Sequence, residues 1–282
     1  MTHPRSVLVT GCSSGIGASA ARILRARGWR VFASARRAGD VARLAAEGYE
    51  AIQLDLDDSA SIQAAVDELL RRTGGTLDAL FNNGAYGLPG AVEDLSRDAL
   101  RAQFETNLFG WLELTNRLIP VMRRQGHGRI VQCSSVLGFA AFPYRGAYNA
   151  TKFALEGLTD TLRMELRDTG IQLSLIEPGP IQTRFRANAH KAFLSWIRVE
   201  GSAHEAQYRR QLERLRKEGP AAPFTLPPEA VVEKLVHALE SPRPRLRYRV
   251  TVPTIAFAYL KRILPGRWMD AVLLRASGGG RR

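Results

Sequence analysis

The chain is expected to form an α/β domain of the doubly wound type, with helices on both faces of a mainly parallel seven-stranded sheet. Three observations predict it. Short apolar runs alternate with helix-like runs from residue 6 to residue 177, the order that builds βαβ units and hence a parallel sheet. A glycine-rich turn, Thr10-Gly11-Cys12-Ser13-Ser14-Gly15-Ile16-Gly17, stands between the first apolar run and the first helix-like run. The 282 residues, 45% hydrophobic and 24% charged, suit one well-buried domain over 1–282, with no internal repeat or second domain.

Residues 6–10 read as a short buried strand, and residues 18–27, rich in alanine, leucine and isoleucine and closed by Gly28, as a helix. The alternation continues with strand 30–34, helix 40–47, strand 51–54, helix 59–72 with Ser59 as its N-cap, and strand 77–82. A long helical region, 97–124, precedes strand 129–134, helix 147–168 and strand 171–177, which places six strands before Pro178. Residues 184–226 mix aromatic and charged side chains and are broken by Gly219-Pro220-Ala221-Ala222-Pro223; they are expected to be a mobile excursion acting as a substrate lid. Residues 229–240 resemble a helix, 248–252 a seventh strand, and 253–282 a basic, apolar tail ending in Gly278-Gly279-Gly280.

The net charge of +13 belongs almost wholly to the C-terminal third, because residues 1–183 carry 20 basic and 19 acidic side chains and residues 184–282 carry 20 and 8. Such asymmetry suits an acidic partner, an anionic membrane or simply a solvated arginine-rich surface. No nucleic-acid module is recognisable in the basic region, so nucleic acid is not an expected partner. Cys12 and Cys133 lack zinc-type spacing, which argues against a metal site or a disulfide framework and fits a reducing, cytoplasmic setting. The N-terminal residues lack the long apolar core of a signal peptide, so export is not expected.

A glycine-rich turn after a first strand lets backbone approach a pyrophosphate, while the following helix presents unpaired N–H groups and its positive dipole end to the anion. Alone it is equally a tight structural turn; inside a βαβ pattern it reads as the nucleotide site of a Rossmann-type domain. At the end of the second strand, where an acidic residue would read the ribose 2′-OH of NAD, the chain has Ala35-Arg36-Arg37 and no carboxylate before Asp40. Arginine pairs with a 2′-phosphate, so NADP(H) is expected, with Arg36 the first choice and Arg37 the reserve, unless both are only surface residues.

In the helix over 147–168, Tyr148 and Lys152 lie four residues apart and so share a face, with Cβ atoms about 5–6 Å apart. A tyrosine pKa of roughly 10 is high for proton transfer near neutrality, and a nearby cation lowers it. Ser135, thirteen residues before Tyr148, adds a hydroxyl donor for a developing alkoxide. Singly, Ser135 could end a strand, Asn107 could bond within a helix, and a Tyr/Lys pair at this spacing is common; the set points to carbonyl reduction.

With Asn82-Asn83-Gly84-Ala85, Asn107 and Pro178-Gly179-Pro180-Ile181-Gln182-Thr183, these residues stand in the order and spacing of the short-chain dehydrogenase/reductase family, which the chain resembles over residues 6–183. The turn and the 177–183 stretch look most like the branch of 17β-hydroxysteroid and retinol dehydrogenases, and the tail from Phe224 is similar to bacterial NADP-dependent aldehyde reductases. The resemblance implies that Tyr148 transfers the proton, Ser135 bonds the substrate oxygen, Lys152 holds the nicotinamide ribose and lowers the tyrosine pKa, and Asn107 supports a relay water. It also implies cofactor contacts from Gly11, Ser13, Ser14, Gly15, Ile16 and Gly17, from Asp55 to adenine, from Asn83 to the adenosine-side ribose, and from Pro178, Gly179, Ile181 and Thr183, the last two at the nicotinamide carboxamide. Homodimers or homotetramers through helix 147–168 are implied as well. One departure is the order Gly84-Ala85, where the family usually has alanine then glycine; if that turn needed a positive φ, alanine would be strained.

Tyr86, Leu88, Leu137, Phe139, Phe142, Tyr144, Phe185, Phe193 and Trp196 offer an apolar pocket without an evident charged clamp, which suits a small apolar carbonyl or alcohol substrate. The tail segment Ile255-Ala256-Phe257-Ala258-Tyr259-Leu260, followed by Lys261 and Arg262, could lie on an anionic membrane but is too short to span it; the rival reading is a helix closing the sheet edge or an oligomer contact. A nucleotide-sensing protein without turnover is the remaining alternative.

Overall fold

The computed structural model describes residues 4–216, 219 and 222–277; Gly278-Gly279-Gly280, the rest of the tail's end and parts of the break at 217–221 lie outside the described residues. Seven strands, β1 (Ser6–Val9), β2 (Arg30–Ala35), β3 (Glu50–Gln53), β4 (Ala79–Asn82), β5 (Gly128–Cys133), β6 (Ile171–Pro178) and β7 (Arg247–Val250), form one sheet in the order β3-β2-β1-β4-β5-β6-β7. Every pairing is parallel, with Val7 opposite Val31 on one side and Ala79 on the other. Val7, Leu8 and Val9 are fully buried, as a strand covered on both faces requires.

The helices are α1 (Gly15–Ala26), α2 (Ala38–Ala46), α3 (Ser59–Thr73), α4 (Arg97–Phe104), α5 (Gly110–Gln125), α6 (Gly146–Glu165), α7 (Phe185–Trp196), α8 (Glu205–Arg216), α9 (Glu229–Glu240), α10 (Val252–Ile263) and α11 (Gly266–Ala276). Right-handed crossovers put α1 and α2 on one face of the sheet and α3, α5 and α6 on the other. Helix α9 joins the first group: Glu229 accepts from Ser19 Oγ at 2.9 Å and Glu240 from Trp29 Nε1 at 3.1 Å. Strand order reverses between β1 and β4, and the crevice above that point is where open α/β sheets bind ligands.

Three expectations change. The N-cap of α3 is Asp58, whose side chain accepts from Ala60 N at 2.9 Å, while Ser59 Oγ turns to Glu113. The region 97–124 is not one helix, because the π-helical segment Glu105–Phe109 separates α4 from α5. The 184–226 region contains α7 and α8, which build a second core with Leu88 and Ala91; Phe193 and Tyr208 are fully buried, and Tyr208 Oη accepts from Ala91 N at 2.9 Å. The tail forms α10 and α11, as its rival reading as a helix allowed, with Met269 and Leu273 packed on Ala140.

Candidate active site

The nucleotide end is assembled around backbone that has no room for side chains. Gly11 and Gly15 have φ of +74° and +61°, a region that glycine enters without strain. A Cβ on Gly17 would stand 2.3 Å from the Gly11 carbonyl oxygen, and one on Gly11 2.7 Å from Gly84 Cα. Thr10, not singled out by the sequence reading, locks the turn to the end of β4: its Oγ1 accepts from Asn83 N at 2.8 Å and Gly84 N at 2.9 Å. Asn83 returns Nδ2–H to the Thr10 carbonyl at 2.9 Å, so its amide braces the turn. Neither Gly84 nor Ala85 has a positive φ, which removes the strain raised by their order; Gly84 O accepts from Trp111 Nε1 at 2.7 Å.

Ser13, Ser14 and Ile16 complete the turn, with Ser14 at the N-cap of α1. Thr183 faces it, its side chain 3.1 Å from where a Gly15 Cβ would be, and a cavity of about 520 Å³ opens between Ser14, Gly15, Gln182, Thr183 and Glu229. Pro178 ends β6; Gly179 lies against Thr251, whose Oγ1 would be 2.1 Å from a Cβ there, and Ile181 bridges to Leu226. Arg36 and Arg37 are exposed at the end of β2, and neither is in a salt bridge among the described residues. Asp55 is half-buried after β3 and accepts from Asp57 N at 3.1 Å. Burial raises the Asp57 carboxyl above its ordinary value, while the Arg36 charge pulls it down. Together, a side-chain-free cradle, a helix N-terminus and unpaired arginines fit a dinucleotide.

The expected reacting groups are linked to this turn through Trp111, which donates to Gly84 O and lies under Lys152. Tyr148 and Lys152, on the first turns of α6, are buried, at 8% and 1% exposure. Lys152 Nζ donates to Cys133 O at 2.8 Å and sits 4.1 Å from the centre of the Trp111 ring. Its distance to the Tyr148 ring centre is 5.7 Å. Burial pushes the Tyr148 phenol well above its ordinary value; the neighbouring Ser135 hydroxyl, which accepts from Leu137 N at 3.1 Å, and the charge of Arg145 pull the other way. Desolvation is thus the dominant influence on this phenol. Burial also lowers the Lys152 ammonium to about 8.

Asn107, fully buried in the π-helical segment, accepts from Tyr86 N at 3.1 Å and donates to Tyr86 O at 2.8 Å and to Thr151 Oγ1 at 3.4 Å. Single π-turns of this kind recur at functional sites. Gln103, which no sequence signal marks, clasps the same loop, donating to Tyr86 O at 2.8 Å and accepting from Leu88 N at 2.7 Å.

The apolar residues divide. Phe185, at the start of α7, packs edge-on against Tyr148 with ring centres 5.3 Å apart and stands over Gly87. Phe193 and Leu88 belong to the second core, Phe142 packs on Phe257 of α10 at 5.6 Å, and the Tyr86 phenol turns to Thr106. A charge is present where none was expected: burial lowers Arg145, beside Tyr148, to about 9, and the neighbouring Arg214 adds to the effect.

The model of the short chain dehydrogenase family matches residues 5–192. The chain belongs to that family. An oxidoreductase of Escherichia coli K12, YbbO, whose own function is described as uncharacterized, is 45% identical over 269 residues, covering 95% of this chain and 94% of that protein. Human 17-beta-hydroxysteroid dehydrogenase type 1 is 35% identical over 260 residues, covering 87% and 77%. The crystal structure of a Burkholderia phymatum short chain dehydrogenase/reductase in complex with NAD matches with a TM-score of 0.78 and 26% identity, over 93% of this chain and 95% of that one. The protein is thus an oxidoreductase on a nicotinamide-dinucleotide-binding fold.

Proposed function

We propose that the protein is an NADP(H)-dependent carbonyl reductase, running as an alcohol dehydrogenase in reverse, for small apolar aldehydes or ketones. The convergence of Ser135, Tyr148 and Lys152 beside the glycine turn carries this reading. Bound NADP(H) supplies or accepts the hydride. Tyr148, held protonated by burial, gives its proton to the carbonyl oxygen, and the Ser135 hydroxyl donates to the same oxygen, a contribution of about 2.7–4 kcal/mol for a preorganised donor. Lys152 holds the nicotinamide ribose, and the contact of Asn107 with Thr151, next to Lys152, agrees with a water relay.

The NADP preference is supported by exposed Arg36 and Arg37 and by the lack of a carboxylate before Asp40. Phe185 on Tyr148 supports an apolar substrate beneath a lid formed by 184–226. The two free cysteines, both buried, suit a reducing cytoplasm. Exposed Phe109, Leu158 and Met164 on the π segment and α6 offer a face for homodimers or homotetramers.

NADPH oxidation over a panel of aldehydes and ketones tests the reading. Tyr148→Phe should abolish turnover yet keep cofactor binding, and Arg36→Ala should raise the KM for NADPH but not for NADH. Turnover that survives Tyr148→Phe, or a protein that binds NADPH without reducing any carbonyl, as a nucleotide sensor would, refutes it.

A further inference from the structure

Helices α10 and α11 leave one apolar face uncovered. On α10, Val252, Ile255, Tyr259 and Ile263 recur at i, i+3, i+7 and i+11, so they form one stripe, and they are 60%, 44%, 56% and 74% exposed. The opposite side of the helix is occupied: Thr254 and Ala258 are buried, Phe257 and Leu260 pack on the segment after Ser135, and Lys261 Nζ donates to Phe139 O at 2.6 Å. Trp268, 67% exposed on α11, adds another large side chain beyond the end of α10. Arg262 and Arg267 stand exposed around it. Large exposed apolar patches on a soluble surface mark interaction sites.

We propose that this face docks on the surface of an anionic lipid bilayer, with the apolar stripe and Trp268 at headgroup depth and Arg262 and Arg267 against lipid phosphates. A basic rim beside an apolar stripe, with an amphipathic tryptophan, is the composition of an interfacial helix. No helix among the described residues is long and apolar enough to cross a membrane, so contact is peripheral. A second copy is disfavoured by charge: a two-fold contact would bring two copies of the same basic rim into one interface. On the proposed function, the consequence is access to apolar substrate. The same helices pack on the chain between Ser135 and Tyr148, through Phe142 and Phe257, so a docked α10 is in contact with the segment that carries both residues.

The test is co-flotation of the full chain with vesicles of phosphatidylcholine alone or containing phosphatidylglycerol, together with the Trp emission spectrum. Binding is expected with the anionic vesicles and at least about thirtyfold less with neutral ones or after Arg262→Glu/Arg267→Glu, as two juxtamembrane charges at ~1 kcal/mol each require. Ile255→Ser/Ile263→Ser should lose flotation while still reducing a water-soluble aldehyde, and raised salt should weaken wild-type binding. The idea is overturned by no flotation with anionic vesicles, by equal binding to neutral ones, by binding indifferent to salt, or by a wild-type oligomer in sedimentation that Ile255→Ser/Ile263→Ser dissociates. Flotation is read without turnover, so a protein that docks but reduces nothing sinks the proposed activity and leaves the docking intact.

Discussion

Glu156→Gln isolates the electrostatic cost of the wall behind the active site. Tyr148, Lys152, Glu156 and Asp160 follow one another at i+4 along α6, so the carboxyl lies one turn beyond the ammonium. Burial pushes Glu156 up to about 7 from an ordinary 4.5; the Glu177 charge adds to the rise, and the charge and hydrogen bonds of Arg247 oppose it. Arg247 reaches Glu156 at 3.2 Å, Asp160 at 2.5 Å and Glu177 at 3.1 Å, so one guanidinium serves three carboxylates. A carboxyl whose pKa is raised on folding stabilises the fold below pH 4.5 and loses that contribution as pH climbs through about 7. The interval corresponds to about 3 kcal/mol. Glutamine keeps the shape and cannot ionise, so the variant should escape this loss. Urea unfolding of both proteins from pH 4.5 to 8 measures it: stability relative to wild type should rise by about 3 kcal/mol in favour of the variant across that range. A difference that stays flat with pH would show that Glu156 ionises freely in the folded state and would refute the reasoning.

Three further outcomes are expected. Gly17→Ala places a Cβ 2.3 Å from the Gly11 carbonyl oxygen; the turn must open, and fluorescence titration should show NADPH affinity falling by more than tenfold, or about 1.4 kcal/mol. Because burial lowers Lys152 to about 8 from 10.5, kcat/KM should fall as pH rises through about 8. Over the interval from there to 10.5 the unfolded chain binds more protons and this group makes the fold more stable; activity lost together with thermal stability would contradict this assignment. Phe185→Ala removes the ring over Tyr148, and KM for an apolar aldehyde should rise with little change for a short polar one, as steady-state kinetics on the two substrates would show.

Much of the fold was legible because its signals are local. Apolar strands alternating with helices, the closing Gly28, and the spacing of Gly11, Gly15 and Gly17 express steric rules that act within a few residues. Tyr148 and Lys152 were legible for the same reason, since helical geometry alone sets them on one face. Asp58 took the capping role from Ser59 because two adjacent cap-forming residues compete and the partner Glu113 comes from a distant helix. Helix α8 was read as part of a mobile stretch because it buries only Tyr208 and Leu215, and its anchor, Ala91, is 117 residues away from Tyr208.

By itself, then, the sequence determined the parallel α/β order, the glycine-rich turn and the pairing of Tyr148 with Lys152 on one helix face, all consequences of short-range geometry. Only the tertiary structure decided how those groups are tuned. It set Trp111 and the Cys133 carbonyl around Lys152, brought the charge of Arg145 to bear on the Tyr148 phenol, and laid Phe185 across that ring. Desolvation depends on every element packed around a group, and a linear chain does not reveal which distant segments those will be.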